Sequence, residues 1–318
     1  MPPVKATFPT PIALVIFNRP DLTERVFQSI AHVRPRQLFV VCDGPRPNVP
    51  GEAELVATSR AILEKVDWPC ELLTNYSQTN LGCKRRVATG LDWVFQTVEE
   101  AIILEDDCIP DQTFYTFCEQ LLERFRYDER IAAISGNNFQ NGRSRTPHSY
   151  YFSKYFHCWG WASWRRVWKT FDADMQSWPA FRQSRGLREL RNSVGEEAYW
   201  EQIFDATFNG KIDSWAYGWL YNCWRHDGLT ILPDVNLVSN IGFRADATHT
   251  RKGDGRFANL PTLPIGRLDH PREISCNIEA DKHTFAQNFR PAKRWKQIRN
   301  QLKFQLKWNL RQWLDRAA

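Results

Sequence analysis

The chain has 318 residues, of which 42% are hydrophobic and 25% are charged, and its formal net charge is +6. These values are typical of a globular protein that buries a large core, and they exclude an intrinsically disordered chain. No stretch reaches the roughly 20 apolar residues that span a bilayer, and the first residues contain no apolar run that could act as a signal peptide, so we expect a cytoplasmic protein.

The first 140 residues alternate strand and helix patterns. Five short runs of β-compatible residues predict buried strands, namely residues 12–17, 38–42, 71–74, 101–104 and 131–135. Because helical periodicity fills the segments between them, we expect an α/β fold with a mostly parallel, Rossmann-like sheet flanked by helices. Asp21 and Glu24, at the start of the first helix, have the spacing of a capping box.

The fourth run ends in three adjacent carboxylates, Glu105, Asp106 and Asp107. Like charges repel, so a counter-charge is expected, and Mg²⁺ or Mn²⁺ is the most economical candidate because hard cations prefer oxygen ligands. A solvated acidic turn is the alternative for the triplet taken alone. Parallel sheets bind ligands beyond the carboxyl ends of their strands, so the polar residues after the other strands should converge there. These are Asn18, Arg19, Asp43, Asn80, Asn137 and Asn138.

Residues 150–178 are unusually aromatic, with eleven Phe, Trp or Tyr side chains. Aromatic faces beside Arg suit stacking on sugars or bases, but we expect about two thirds of these rings to belong to the core. A second tryptophan-rich helix is predicted over 215–224, followed by a strand over 228–233.

The eight cysteines are scattered without zinc-site spacing, which predicts free, mostly buried thiols.

Positive charge is concentrated near the end of the sequence. Residues 293–316 contain eight Lys or Arg and a single Asp, which leaves the rest of the chain close to neutral. This distribution argues against a nucleic-acid-binding body. The apolar residues of the segment recur with helical period, so residues 286–318 are predicted to form a basic amphipathic helix. Such a helix either lies on an anionic membrane surface, which for this protein would be the inner face of the membrane, or packs on its own domain.

Taken together, these motifs resemble the GT-A glycosyltransferases. More narrowly, they are similar to bacterial hemolytic-protein-like nucleotide-sugar transferases, relatives of the Golgi N-acetylglucosaminyltransferases. The similarity covers roughly residues 11–250 and rests on the segments IALVIFNRP, VVCDGP, NLGCKRRVATGLDWVF, AIILEDDCIPD, ISGNNF, HCWGWASWRR and LVSNIGFRADATHT.

The resemblance implies a metal-dependent, inverting transfer of a sugar to a hydroxyl of a glycan or lipid-linked glycan. The donor would be a nucleoside diphosphate sugar, with a UDP-sugar favoured, and the cofactor Mn²⁺ or Mg²⁺. Residues 1–140 would form the nucleotide-binding half of the GT-A domain and residues 141–285 the half for the donor sugar and acceptor.

The matching positions also imply roles for individual residues. The metal would be held by Asp107, with Asp106 and His249. The donor nucleoside and phosphates would contact Asn18, Arg19, Asp43, Asn80, Lys84, Arg85, Glu105 and Asp106. The donor sugar and acceptor would lie against Trp159, Gly160, Trp161 and Trp164.

One segment departs from the family pattern. Relatives are expected to carry Trp-Asp-Tyr-Gln-Trp at residues 215–219, where this chain has Ala216 in place of the Asp that would act as base. Asp213, about one helical turn away, is the first candidate to replace it, and Glu201 is the second. The alternatives are a catalytically weak or inactive sugar-nucleotide or carbohydrate-binding protein, and a nucleotidyltransferase. The latter class normally has a Gly-rich basic loop after its first strand, which is absent from this sequence.

Overall fold

The computed structural model describes residues 7–184, 186–190, 192, 194–244 and 257–289. The strands are β1 (Ile12–Ile16), β2 (Gln37–Cys42), β3 (Glu71–Tyr76), β4 (Glu100–Glu105), β5 (Cys108–Pro110), β6 (Ile131–Ser135), β7 (Tyr150–Ser153), β8 (Trp161–Trp164), β9 (Leu229–Pro233) and β10 (Val238–Asn240). The α-helices are α1 (Pro20–Val33), α2 (Glu52–Ala61), α3 (Cys83–Thr97), α4 (Gln112–Arg124), α5 (Arg165–Trp168), α6 (Trp178–Gln183), α7 (Gly186–Leu190), α8 (Val194–Phe208), α9 (Trp215–Arg225) and α10 (Ile278–Thr284). A 3₁₀ helix (Ile62–Lys65) continues α2, and a π-helical segment (Phe285–Phe289) continues α10.

Eight strands form one mixed sheet in the order β3-β2-β1-β4-β8-β6-β9-β7. Strands β3, β2, β1 and β4 are parallel neighbours, and β6 is parallel to β9. Strands β8 and β7 run against their neighbours, and β5 pairs with β10 in a separate antiparallel ribbon. The predicted α/β class with a mostly parallel sheet flanked by helices is therefore confirmed. The antiparallel strands and the ribbon were not predicted.

Strand β1 is apolar throughout because helices cover both faces of the sheet there. Along β1, Ile12, Leu14 and Ile16 belong to the core that includes side chains of α1 and α4. Ala13, between them, belongs to the core on the opposite face, which includes side chains of α3 and α9. This alternation explains why the run IALVI contains no polar position.

Most of the aromatic rings in residues 150–178 belong to the core. Nine of the eleven are buried, and only Trp159 and Phe171 keep partial exposure. All eight cysteines are free thiols, four of them buried and four partly exposed. The excess of aromatic residues therefore mainly reflects packing in the cores on both faces of the sheet.

The capping box predicted at the start of α1 is wrong. Pro20 occupies the first helical position, which makes Arg19 the N-cap residue, and Arg19 makes no capping bond through its side chain. Asp21 instead contacts Arg244, and Glu24 forms an ion pair with Lys65 at 2.6 Å.

Two predictions fall on residues that the structure does not describe. Of the basic helix predicted over 286–318, the structure describes only the part up to residue 289, and His249 also lies outside the described residues. Within the described ranges, no helix combines the length and apolar character needed to cross a membrane.

Candidate functional site at the carboxyl edge of the sheet

The acidic triplet lies where β4 reaches the carboxyl edge of the sheet. Glu105 is the last residue of β4, and Asp106 and Asp107 form the turn into β5. Strand β5 pairs with β10 and places Cys108 opposite Asn240, whose Nδ2 donates to Asp107 Oδ1 at 3.2 Å. The short ribbon therefore fixes the position of the Asp107 carboxylate.

Arg19 provides part of the counter-charge for this turn. Its Nη1 lies 2.9 Å from Asp107 Oδ2, and its Nη2 donates to Asp106 Oδ1. The carboxyl side chains are only 3% exposed at Asp106 and 12% at Asp107. A guanidinium of the chain itself therefore offsets part of the negative charge, and the divalent cation stays a prediction.

Negative charge nevertheless remains in excess at the triplet. Burial raises the pKa of Glu105 to about 8, and repulsion from Asp107 and Asp106 adds to this effect. Burial also raises the pKa of Asp106, although Arg19 opposes the shift. It is therefore unfavourable for all three carboxyl groups to be ionised at once, and a bound cation would stabilise their ionised forms.

Replacing Glu105 by Gln is expected to stabilise the fold at high pH and to have little effect in acid. A carboxyl with a raised folded-state pKa contributes stability below its unfolded pKa of about 4.5, and this contribution is lost as the pH rises towards about 8. Gln stays neutral, so the variant should gain up to about 5 kcal/mol over the wild type at pH 9, the free energy that corresponds to the raised pKa. Denaturant unfolding at pH 4.5 and pH 9 measures the difference. A variant less stable than the wild type at pH 9 would contradict it.

Asp43 and Asn80 lie together at the same edge, after β2 and β3. The buried Asp43 carboxylate accepts hydrogen bonds from the backbone N–H groups of Leu81 (2.9 Å) and Gly82 (3.0 Å), and from Asn80 Nδ2 (3.1 Å). Asn80 Nδ2 also donates to the backbone of Gly44 at 2.8 Å. These polar atoms therefore hold the loop that leads into α3, and direct contact of either residue with a donor stays a prediction.

The other residues predicted to bind the donor surround this edge. Asn18 Nδ2 donates to Glu52 Oε1 at 2.9 Å. Lys84 lies in the first turn of α3, and its Nζ is 3.8 Å from Asp174 Oδ1. Arg85 follows with an exposed side chain. The structure thus places two basic side chains at the start of α3, on the side of the sheet where the triplet lies.

Asp213 is near the triplet but has a structural contact of its own. Its Oδ1 accepts a hydrogen bond from the backbone N–H of Lys84 at 3.3 Å, at the start of α3. Burial raises the pKa of the neighbouring Cys83 thiol, and the charges of Glu105 and Asp213 both add to the shift, which indicates that both carboxylates lie near this thiol. Helix α9 begins at Trp215, so Asp213 precedes the helix and is not one turn from Ala216 within it.

Glu201 has a charged partner of its own, and its role as a substitute base stays a prediction. Helix α8 packs against α6, which directs Glu201 towards Arg182. Glu201 Oε1 lies 2.7 Å from Arg182 Nε, and Arg182 also pairs with Asp205 at 3.1 Å. Glu201 is therefore part of an ion-pair group between two helices.

Two of the tryptophans predicted to line the sugar site lie in the core instead. Trp161 is fully buried and stacks on Trp215 with 5.5 Å between ring centroids. Trp164 is also buried, and its Nε1 donates to the backbone carbonyl of Leu122 at 3.1 Å. Both residues belong to β8, which lies inside the sheet between β4 and β6, so neither ring can contact a sugar. Gly160, just before β8, packs its backbone against Val238.

Trp159 is the exception, because it stays partly exposed beside the acidic turn. Its ring meets Phe139 edge-on at 5.2 Å and Phe243 at 5.5 Å, and these two rings are partly exposed as well. Phe243 follows Gly242, whose backbone closely approaches Asp107. Sequence reasoning missed Phe139 and Phe243, although both lie in segments that carry the family resemblance, ISGNNF and LVSNIGF.

Asn240 and Gly242 are further residues of the site without a predicted role. Besides its bond to Asp107, Asn240 accepts a hydrogen bond from the Gly242 N–H at 2.8 Å. A Cβ atom on Gly242 would lie 2.1 Å from Asp107 Oδ2, so a larger residue cannot be accommodated without moving this carboxylate. The pattern Asn-x-Gly after a short apolar run was the available signal, but the same pattern marks ordinary turns.

The residues present fit a hard cation that takes few protein ligands. Among the described residues, no group of three or more His, Cys, Asp or Glu side chains is arranged to hold a metal ion. Mg²⁺ and similar cations are commonly bound by one or two carboxylates together with phosphate oxygens and water. Asp107 and Asp106 provide such a donor set, and their excess negative charge favours it.

Compared with known proteins, the chain matches no protein family and no curated protein sequence. What the protein does is therefore inferred from the site itself. The structure brings Arg19, Asp106, Asp107 and Asn240 into one hydrogen-bonded group and places Glu105 beside it.

Proposed function

We propose that the protein is a metal-dependent GT-A glycosyltransferase that moves a sugar from a nucleoside diphosphate donor, with UDP favoured, to a hydroxyl of a glycan or lipid-linked glycan. The main support is the pair of buried aspartates with surplus negative charge at the carboxyl end of β4, beside the parallel strand β1. Parallel sheets bind ligands at this edge, and a diphosphate bound beside carboxylates requires a bridging cation.

Each residue of the site then has a role in the transfer. Asp107, supported by Asp106, would hold Mn²⁺ or Mg²⁺, which when bound stabilises the negative charge that develops on the diphosphate leaving group. Arg19 would pair with phosphate oxygens. Trp159, with Phe139 and Phe243, offers a partly exposed aromatic surface for a sugar face. Asp213 would accept the proton of the acceptor hydroxyl.

Calorimetric titration with UDP and GDP, in Mn²⁺ and in EDTA, tests the proposal. We expect one of the two nucleotides to bind at least about tenfold more tightly when Mn²⁺ is present, because the cation offsets repulsion between diphosphate and carboxylates. The corresponding sugar nucleotides then identify the donor. Equal binding in Mn²⁺ and EDTA, or no binding of either nucleotide, would overturn the proposal.

A second candidate is a sugar-nucleotide-binding protein with little or no transferase activity. Ala216, in the first turn of α9, provides no base, and Asp213 already accepts a backbone hydrogen bond. This candidate shares the donor site with the first. The two candidate functions therefore both predict metal-dependent nucleotide binding, and only the transferase predicts turnover of a sugar nucleotide.

Substituting Gly242 by Ala is expected to weaken metal-dependent nucleotide binding by about tenfold or more, because the added Cβ displaces Asp107 Oδ2 from the position that Asn240 and Arg19 define. Gly266→Ala is the matched control, since a Cβ at residue 266 meets nothing within 4 Å. Calorimetry with Mn²⁺ and the nucleotide that binds the wild type measures both variants. Equal affinities in the two variants would contradict the prediction.

A further inference from the structure

We propose that Arg19 is a built-in counter-ion that competes with the metal for Asp106 and Asp107, and that the diphosphate of the donor releases it. The chain would then bind Mn²⁺ weakly by itself and tightly only together with a nucleoside diphosphate. This inference rests on the proposed function, because it assigns the order in which the same site is filled.

The hydrogen bonds of the two aspartates support this competition. Each of their four carboxylate oxygens has a donor within the chain. Arg19 binds one oxygen of each carboxylate, the Phe17 N–H donates to Asp106 Oδ2 at 3.2 Å, and Asn240 Nδ2 donates to Asp107 Oδ1 at 3.2 Å. A cation that approaches the pair must therefore share or replace the contacts of Arg19.

The backbone of Arg19 is held by hydrogen bonds, whereas its side chain is partly exposed. The Arg19 carbonyl accepts hydrogen bonds from both the N–H and the Oγ1 of Thr23, at 2.9 Å each, which fixes the residue at the start of α1. Its side chain is 18% exposed, so it is not fully enclosed by the protein. A change of rotamer can thus redirect it without unwinding the helix.

A diphosphate gives Arg19 a new partner that the metal alone cannot provide. A guanidinium has five N–H donors in a fork that matches phosphate oxygens, so it can exchange two carboxylates for one phosphate group. Without nucleotide, a divalent cation bound to the aspartates would take the carboxylate partners of Arg19. The guanidinium would then be unpaired, and its positive charge would repel the metal. With nucleotide, both cations share the phosphate oxygens, and binding of metal and nucleotide becomes mutually favourable.

Binding measurements on Arg19→Met test the competition, since methionine keeps an apolar stem but removes the charge. The affinity for Mn²⁺ alone is measured by electron paramagnetic resonance of free Mn²⁺, and that for UDP or GDP by calorimetry at saturating Mn²⁺. We expect Mn²⁺ alone to bind about tenfold more tightly to Arg19→Met than to the wild type, and the nucleotide to bind about tenfold more weakly. Arg36→Met, which removes an exposed cation before β2, should change neither affinity.

Each outcome of this experiment decides one point. Unchanged or weaker Mn²⁺ binding by Arg19→Met overturns the counter-ion role, whereas a wild type that binds no nucleotide in Mn²⁺ overturns the proposed function. If Arg19→Met does not melt cooperatively, Arg19→Lys replaces it. A lysine ammonium cannot straddle both carboxylates as a fork, so Mn²⁺ alone should still bind more tightly than to the wild type, by a smaller factor. Failure of the lysine variant to do so also overturns the counter-ion role.

Discussion

Replacing Asp107 by Ala is expected to abolish the Mn²⁺-dependent part of nucleotide binding, which corresponds to a loss of more than about a hundredfold in affinity. Asp107 is the more exposed of the two paired aspartates, and Asn240 and the ribbon β5–β10 hold it in one orientation. Loss of the carboxylate removes the ligand proposed for the cation and leaves the diphosphate without its bridge to the protein. Calorimetry in Mn²⁺ and in EDTA measures the effect.

Two further variants separate a ligand role from a structural one. Asp107→Asn keeps an oxygen that can accept the hydrogen bond of Asn240 Nδ2, but it loses the negative charge, so it should bind metal almost as poorly as Asp107→Ala while melting close to the wild type. Asp67→Ala removes an exposed carboxylate before β3, at the opposite edge of the sheet, and should leave nucleotide binding unchanged. Full Mn²⁺-dependent binding by Asp107→Asn would remove the basis for a metal at this turn.

The parallel part of the fold was predictable because strands β1, β2, β4 and β6 are short and mostly apolar on both faces. Strand β6 was predicted at its observed bounds, and helices α1, α2, α3 and α4 lie in the segments predicted to be helical between the strands. The antiparallel strand β8 was not predictable in this way, because its four residues lie within a longer aromatic segment and show no alternation. Its insertion between β4 and β6 is a property of the sheet order, which a pattern along the chain does not encode.

The composition of the site was easier to predict than its internal contacts. Sequence reasoning placed Arg19 and the acidic triplet at one edge, but it did not show that β1 and β4 are neighbours, with Val15 opposite Glu105. That pairing brings Arg19 onto the two aspartates and supplies a counter-charge without a metal. Asp43 illustrates the same limit, since an aspartate after a strand suits a ligand and a loop equally well, and here it binds the loop at Leu81 and Gly82.

Changing Asp213 to Asn is expected to lower the rate of sugar transfer by about a hundredfold or more while leaving nucleotide affinity unchanged. Asn keeps an oxygen that can accept the N–H of Lys84, so the start of α3 should stay in place, but it cannot take a proton from an acceptor hydroxyl. The rate is measured as release of the nucleoside diphosphate from the sugar nucleotide that binds in Mn²⁺, with water and simple glycosides as acceptors. An unchanged rate would show that Asp213 is not the base.

Ala216→Asp in the Asp213→Asn background provides the complementary gain-of-function test. Residue 216 lies in the first turn of α9 with partial exposure, where an aspartate is compatible with the helix dipole. If the missing base limits transfer, the double variant should recover activity above that of Asp213→Asn alone, at equal nucleotide affinity. The wild type itself could release no more nucleoside diphosphate than Asp107→Ala does. In that case, a higher rate in the single variant Ala216→Asp would identify the protein as a sugar-nucleotide-binding protein that lacks a catalytic base. Absence of turnover in every variant, with metal-dependent binding intact, would instead place the defect outside residues 213 and 216.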